Sequence, residues 1–468
     1  MRRGLSTLAL LVVLAVVGGY AYFVASKADD STGVKRDRLF PGLSSDAIEE
    51  LTVKSESGDT TTLKKVDSKW TMTAPVQARA SDIDASGMTS GLSGIEITRV
   101  VDENPSDVKD YGLDAPSIEV SFKATGTSPS GKLLIGKKTT TGGSMYARKD
   151  GDKRVVIIGE FNETTFNKST FDLRDKAIVT FDRGKVDGFD VVKGASTFEV
   201  AKKDADWSLA KPIVARADTS AADGLVTAVE SLQMKSVVGT SATPEQLKQY
   251  GLDKPAATVN LHLGADRVAV VIGGKATDDT VYAKDAARPD IYTIQQTAAD
   301  DLTKTADDYR RKELFDMRAF TATHIDITRN GKTASFDKVK GTGDNAQDSW
   351  KRVSPAGADP DKDKFQAFVA ALADIRAMSF VDAKARTGLD SPAATIVVKF
   401  DDGKKEDRVT LAKSGADAYS ARPDDPGAAK IDPTKLDDAL KSIDDFMSPT
   451  APAAAPAAAP AASTPPAK

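Results

Sequence analysis

The sequence predicts an α+β fold: three tandem homologous repeats of mainly antiparallel strands with one main amphipathic helix each, preceded by an N-terminal transmembrane helix. Three observations carry that expectation. A set of landmark residues recurs three times with a period of about 138 residues. An apolar stripe at helical spacing follows the first landmark each time. An uncharged apolar run, residues 5–25, lies close to the start of the chain and is long enough to span a bilayer, which takes about 20 residues.

The first landmark is tryptophan. Trp70, Trp207 and Trp350 stand 137 and 143 residues apart, and a proline follows each by five: Pro75, Pro212 and Pro355. The stripes come next: Ala85, Met88, Leu92 and Ile95; Ala222, Leu225, Val229 and Leu232; Phe365, Phe368, Leu372 and Ile375. Spacing of 3-4-3 places each set on one side of a helix. Ser81 and Asp218 are suited to cap the first two of these helices.

The second landmark is YGLD-x-P. It comprises Tyr111, Gly112, Asp114 and Pro116, then Tyr250, Gly251, Asp253 and Pro255. A worn copy, TGLDSP, supplies Gly388, Asp390 and Pro392. Thr243 to Gln246 reads as a capping box with proline at the first helical position. The helix ends at Tyr250, and Gly251 can take the left-handed backbone of a helix stop without steric cost. Leu252 is then expected to fold back on Leu247, Leu113 on Val108, and Leu389 over Lys384. The proline launches an alternating strand: Ile118, Val120 and Phe122; Val259, Leu261 and Leu263; Ile396, Val398 and Phe400.

These landmarks set the expected organisation. Residues 1–28 form the anchor, with a cleavable signal peptide as the rival reading. Repeats follow at 39–181, 182–315 and 316–447, the last divergent and short of a recognisable ending. Residues 448–468 form a Pro/Ala segment expected to be disordered. Arg2 and Arg3 before the apolar run, with Asp29 and Asp30 after it, favour a cytoplasmic N-terminus. The expected location is therefore the bacterial inner membrane, single-pass through residues 5–25, with the bulk of the chain periplasmic.

Composition excludes several classes of function. A formal charge of −4 gives no basic footprint for nucleic acid, and the absence of cysteine removes thiolate chemistry and disulfides. His262 and His324 are the two histidines, and both fall on polar strand faces with no recurring acid partner. Asp359 to Phe365 alternates aspartates as calcium loops do, but lacks the required glycine and glutamate. The strand ends LIGKK and VIGGK lack phosphate-loop spacing. Arg79 and Arg216 recur, as do Arg174 and Arg310 and the aspartates of YGLD. Such recurrence marks either one ligand site per repeat or arginine–carboxylate pairs that hold turns together; the second reading is favoured. No catalytic residue, cofactor site or metal ligand is assigned from the sequence.

The tryptophan–proline step, the RAS/RAD step before the helix, YGLD-x-P, the IG strand end, the YAR/YAK strand and LRDK together resemble the bacterial family known as domain of unknown function 4340. The resemblance covers nearly all of residues 39–447 and is closest in the first two repeats. It implies a membrane-anchored, extracytoplasmic protein associated with ABC-type export systems, including gliding-motility-type transporters. The family has no assigned catalytic residues to carry over. The expected role is a non-enzymatic accessory or scaffold protein with a membrane-protein partner. A periplasmic solute- or glycan-binding module is the alternative.

Overall fold

A computed structural model describes residues 37–341, 348–382 and 385–448. The chain divides at Lys176/Ala177 into two compact bodies. The first holds repeat one and the second holds repeats two and three.

Repeat one is built on a single antiparallel sheet. Strands β1 (Ile48–Lys54), β2 (Thr60–Val66), β3 (Lys69–Ala74) and the two-residue β4 (Ala78–Arg79) run outward to one edge. Helix α1 (Asp82–Gly94) carries the chain to the opposite edge, where β5 (Arg99–Asp102) lies. Strand β6 (Ile118–Ala124) returns to the centre beside β1. Strands β7 (Gly131–Lys138), β8 (Ser144–Lys149) and β9 (Val155–Gly159) then fill the sheet back to β5, and helix α2 (Phe161–Phe166) follows. The order is β4-β3-β2-β1-β6-β7-β8-β9-β5.

Repeat two writes the same sheet again. Strands β10 (Gly188–Lys193), β11 (Ser196–Lys203), β12 (Asp206–Lys211) and β13 (Ala215–Arg216) lead to α3 (Thr219–Glu230) and β14 (Ser236–Gly239). Helix α4 (Pro244–Gln249), strands β15 (Ala257–Leu263), β16 (Asp266–Lys275), β17 (Thr280–Asp285) and β18 (Ile291–Gln295), and helix α5 (Gln296–Leu302) complete it. The order β13-β12-β11-β10-β15-β16-β17-β18-β14 matches repeat one strand for strand.

Repeat three has β19 (Ala322–Arg329), β20 (Lys332–Val339), β21 (Ser349–Ser354), α6 (Lys362–Ala373), β22 (Ser379–Val381), β23 (Ala394–Phe400), β24 (Lys405–Ser414), β25 (Asp417–Arg422), β26 (Asp425–Ile431) and α7 (Pro433–Met447). Its described sheet, β21-β20-β19-β23-β24-β25-β26-β22, lacks a counterpart of β4 and β13.

Alternation builds these sheets. Ile118, Val120 and Phe122 point into the core of repeat one, as Val259, Leu261 and Leu263 do in repeat two and Ile396, Val398 and Phe400 in repeat three. The helical stripes, Ile95, Leu232 and Ile375 included, are buried throughout, and so are the three tryptophans. Each large apolar side chain so buried contributes about 1.5–3 kcal/mol. The helix caps form as the sequence predicts: Ser81 Oγ accepts from the Asp84 amide (3.2 Å) and Asp218 from that of Ala221 (2.9 Å). Asp361, from the calcium-like stretch, accepts from the Lys364 amide (2.9 Å) and caps α6 in the same way. Pro75, Pro212 and Pro355 all follow cis peptide bonds.

The expected α+β class with one helix per repeat is overturned. The fold is dominated by three large antiparallel sheets, and the described helices number two, three and two across the repeats. The longest described helix is α7, which ends the repeat that reads as truncated. Asp432 caps it, Pro433 opens it, and Leu436, Leu440, Ile443 and Phe446 face the core. It takes the place of the shorter α2 and α5, which follow the corresponding strands β9 and β18, and only its length is particular to repeat three.

The expected transmembrane helix and single-pass inner-membrane placement are overturned as well. No helix among the described residues is long and apolar enough to cross a membrane. The run 5–25 lies outside the described residues, as do residues 449–468 of the Pro/Ala segment.

The YGLD turn has the expected form. Thr243 and Gln246 make the reciprocal capping box. Gly112, Gly251 and Gly388 have φ of 68°, 67° and 75°. The Leu252 amide donates to the Leu247 carbonyl (2.7 Å) and the Leu113 amide to that of Val108 (3.1 Å). In repeat one the short helix is a single 3-10 turn, Lys109–Tyr111. Lys384, the expected partner of Leu389, lies outside the described residues.

The turn also explains the recurring IG. The Tyr250 carbonyl accepts from the Gly274 amide (2.8 Å), and a Cβ on Gly273 would sit 2.5 Å from that carbonyl oxygen. A Cβ on Gly136 would come within 2.2 Å of the Tyr111 carbonyl oxygen. The strand-end glycine is space for the turn. Gly251→Ala is expected to destabilise the protein by more than about 1 kcal/mol, from the left-handed backbone and a close approach to Gly274. Gly264→Ala, also left-handed but with open space around its Cβ, should cost less. Urea midpoints that rank the two equally would contradict this reading.

Candidate functional site

Repeated charges sit at the sheet edge. After its last strand, repeat one sends residues 172–176 back alongside β4. The Ser81 amide donates to the Leu173 carbonyl (2.9 Å) and the Asp175 amide to that of Arg79 (3.0 Å). Repeat two does the same: the Asp218 amide donates to Tyr309 (2.8 Å) and the Arg311 amide to Arg216 (3.0 Å). LRDK and RAS/RAD therefore recur as the two halves of one backbone pairing. Their arginines ride on it. Arg79 pairs with Asp175 (3.1 Å) and Arg216 with Asp316 (2.7 Å).

Repeat three adds charge at this position in the second body. Asp407, 1% exposed, accepts from the amides of Asp316 (2.7 Å) and Met317 (2.9 Å) and from Arg422 Nη1 (2.8 Å). Arg422 also donates to the Leu314 carbonyl (2.6 Å) and grips both oxygens of Asp424 (2.9 Å each). Arg310 donates to Asp425 (2.9 Å) and the Pro426 carbonyl (3.0 Å), and its guanidinium lies 3.6 Å from the centre of the Phe380 ring. Arg311 shares Asp316 with Arg216, at 3.0 Å.

The electrostatics follow from this crowding. Burial opposes the Arg422 charge, yet its bonds to Asp424 and Asp407 leave its pKa above the ordinary value. Burial, then the like charge of Arg422, push Arg216 below its ordinary value. The Arg422 hydrogen bonds hold the Asp424 carboxyl below the usual carboxylate range.

The sequence landmarks lie elsewhere. Trp70, Trp207 and Trp350 are core residues. Tyr111 stacks on Tyr146 (5.0 Å between ring centres) and Tyr250 on Tyr282 (4.4 Å), which ties the YGLD turn to the YAR/YAK strand. Asp114, Asp253 and Asp390 are exposed and converge on nothing. Each histidine has an acid partner, but at non-equivalent positions of the repeat, so no acid partner recurs. His262 Nε2 lies 2.7 Å from Asp190, which also accepts from Asn260 (2.7 Å). His324 sits between Asp337 (2.6 Å) and Asp326 (3.1 Å). The Asp190 and Asp337 contacts are cross-strand, which periodicity along one strand cannot reveal, whereas Asp326 shares a strand face with His324. Among the described residues no group of three or more acids and histidines is placed to hold a metal ion.

Sequence reading missed the Asp407–Arg422 cluster because it is unique to repeat three. Asp407 opposes Val398 on the ladder, where repeat two sets Val268 against Leu261. One signal was available: Asp407 falls in phase with Val409 and Leu411, on the inward face of its strand.

The repeated sheet is matched by the comparisons. The model for the domain of unknown function DUF4340 matches twice, over residues 70–244 and 207–392. The chain belongs to the DUF4340 family. Both matches begin at a repeat tryptophan, and the second extends through the worn TGLDSP to Pro392. Comparison with curated proteins gives no match. Among solved structures, a DNA polymerase sliding clamp from Pseudomonas aeruginosa, solved with ligand, aligns over 84% of this chain and 92% of its own. Its identity is 8% and its TM-score 0.17, too loose a superposition to carry any argument.

Two predictions follow from the cluster. Asp407→Ala leaves Arg422 buried and three donors unsatisfied, so it should cost about 3–5 kcal/mol, whereas Asp424→Ala removes a half-exposed carboxylate and leaves Arg422 its bond to Asp407, so it should cost less than about 1 kcal/mol. Denaturant unfolding of both variants would measure the difference. Because the Asp424 carboxyl is held low, its contribution is complete above the unfolded value of about 3.9 and disappears as pH falls through the folded one. Asp424→Asn should therefore flatten slightly the acid side of the stability profile and leave its slope above about pH 6 unchanged.

Proposed function

We propose that this DUF4340 protein is a non-catalytic, repeat-built scaffold that works as an accessory to an ABC-type export complex. The observation that supports this best is the use made of the recurring residues. The tryptophans, the YGLD turns and the strap backbone are committed to building and closing one sheet, copied along the chain. Chains of similar units present extended surfaces suited to partner proteins. The connection to export systems rests on the family resemblance. A solute- or glycan-binding module is less well supported, because it would present its tryptophans as exposed platforms and all three are buried.

Cross-linking the full chain in its native host, followed by mass spectrometry, tests the proposal. Recovery of the permease or ATPase subunit of an ABC transporter is the expected outcome. Cross-linked products that contain neither subunit would remove the accessory role.

A further inference from the structure

Inside the junction of repeats two and three lies a small cavity of about 20 Å³. That is room for about one water-sized sphere, which needs roughly 10–15 Å³. Its wall carries four arginines, Arg216, Arg310, Arg311 and Arg422, and one carboxylate, Asp425. The other carboxylates of the cluster, Asp316, Asp407 and Asp424, pair with these arginines from outside the wall.

Three polar groups on that wall have no protein partner. Arg310 Nε is buried without an acceptor, on a side chain 5% exposed. Arg216 Nε is buried too, with Asp424 at 4.0 Å, beyond hydrogen-bond reach. The third is Ser420 Oγ, on a residue 1% exposed. Its position in the YA strand is alanine in the other repeats, Ala147 and Ala283, both fully buried. Repeat three thus places a hydroxyl in a core position where the fold needs none. Each unpaired buried donor is costly unless something accepts from it. The two guanidinium nitrogens can only donate, and the hydroxyl can do so.

We propose that this cavity is a binding site for one small monovalent anion of halide size, which accepts from Arg310, Arg216 and Ser420 and clamps repeat two to repeat three. An anion meets the requirements of the wall better than water does. It uses donors alone and needs no acceptors for protons of its own. Larger oxyanions exceed the space.

The test uses the full chain and bromide as probe. Thermal unfolding is followed in sodium bromide and in sodium gluconate at equal ionic strength. Melting temperature should rise with bromide along a saturating curve, as for any ligand that binds only the folded state. Ser420→Ala restores the residue of the other repeats, so it should fold, while the bromide concentration at half effect rises about tenfold. Crystals grown with bromide should show an anomalous peak in the cavity. Equal melting temperatures in the two salts, or a bromide effect that Ser420→Ala leaves unchanged, would overturn the proposal. So would water in the cavity with no bromide peak. A peak in crystals without a saturable effect in solution would mean an adventitious ion only, and would count against it equally.

Discussion

An open antiparallel sheet leaves a row of unpaired amides and carbonyls along each edge, and those groups need partners or protection. In repeats one and two the edge beyond β3 and β12 is closed by a two-residue strand and then by a returning strap. The rest of the repeat is arranged around that closure. The helix must leave from the closed edge, so its cap, Ser81 or Asp218, lies where the strap docks: its amide donates a pairing bond to the strap and its side chain accepts the capping bond. The edge-strand arginines Arg79 and Arg216 meet Asp175 and Asp316 because the backbone pairing has brought the strap alongside. Repeat three solves the same problem with other groups. The Asp359 side chain accepts from the Arg352 amide (3.1 Å), and the Arg352 guanidinium donates to the Ala358 carbonyl (3.3 Å) and to the Phe446 carbonyl at the end of α7.

Much of this was legible in the sequence because it is written more than once. Trp-x4-Pro, the helical stripes and YGLD-x-P each have a local physical reading, and recurrence removed the ambiguity that one copy would have left. The capping box at Thr243 and the left-handed glycines could be placed to the residue. Recurrence also set the limit. The added length of α7, the Asp407–Arg422 pair and Ser420 occur once, so a reading that looked for copies passed over them. The histidine–aspartate pairs were hidden for another reason. Asp190 and Asp337 come from neighbouring strands, 72 residues from His262 and 13 from His324, whereas Asp326 shares the strand of His324. The strap pairs could be recognised as recurring segments, but nothing in either segment says that it binds the other.

The worn third copy illustrates how one close contact propagates through a sequence. Where repeats one and two keep glycine at the strand end to admit a tyrosine carbonyl, repeat three has Ala412, and its turn begins with Thr387 in place of tyrosine. The ring pair and the glycine are lost together. The two losses belong to one packing arrangement, since the tyrosine that supplies the carbonyl also supplies the ring that stacks on the YA strand.

The strap also fixes an order of events. In repeat two the groups it joins are 100 residues apart, Arg216 near the start and Asp316 after the last helix. On the ribosome, the edge strand and main helix emerge long before the segment that seals them. Repeats one and two are therefore delivered with their seams open and are stitched shut by straps synthesised after their last helices. The fold of a repeat is thus a property of its whole length, and no fragment that stops short of its strap contains the groups needed to close it.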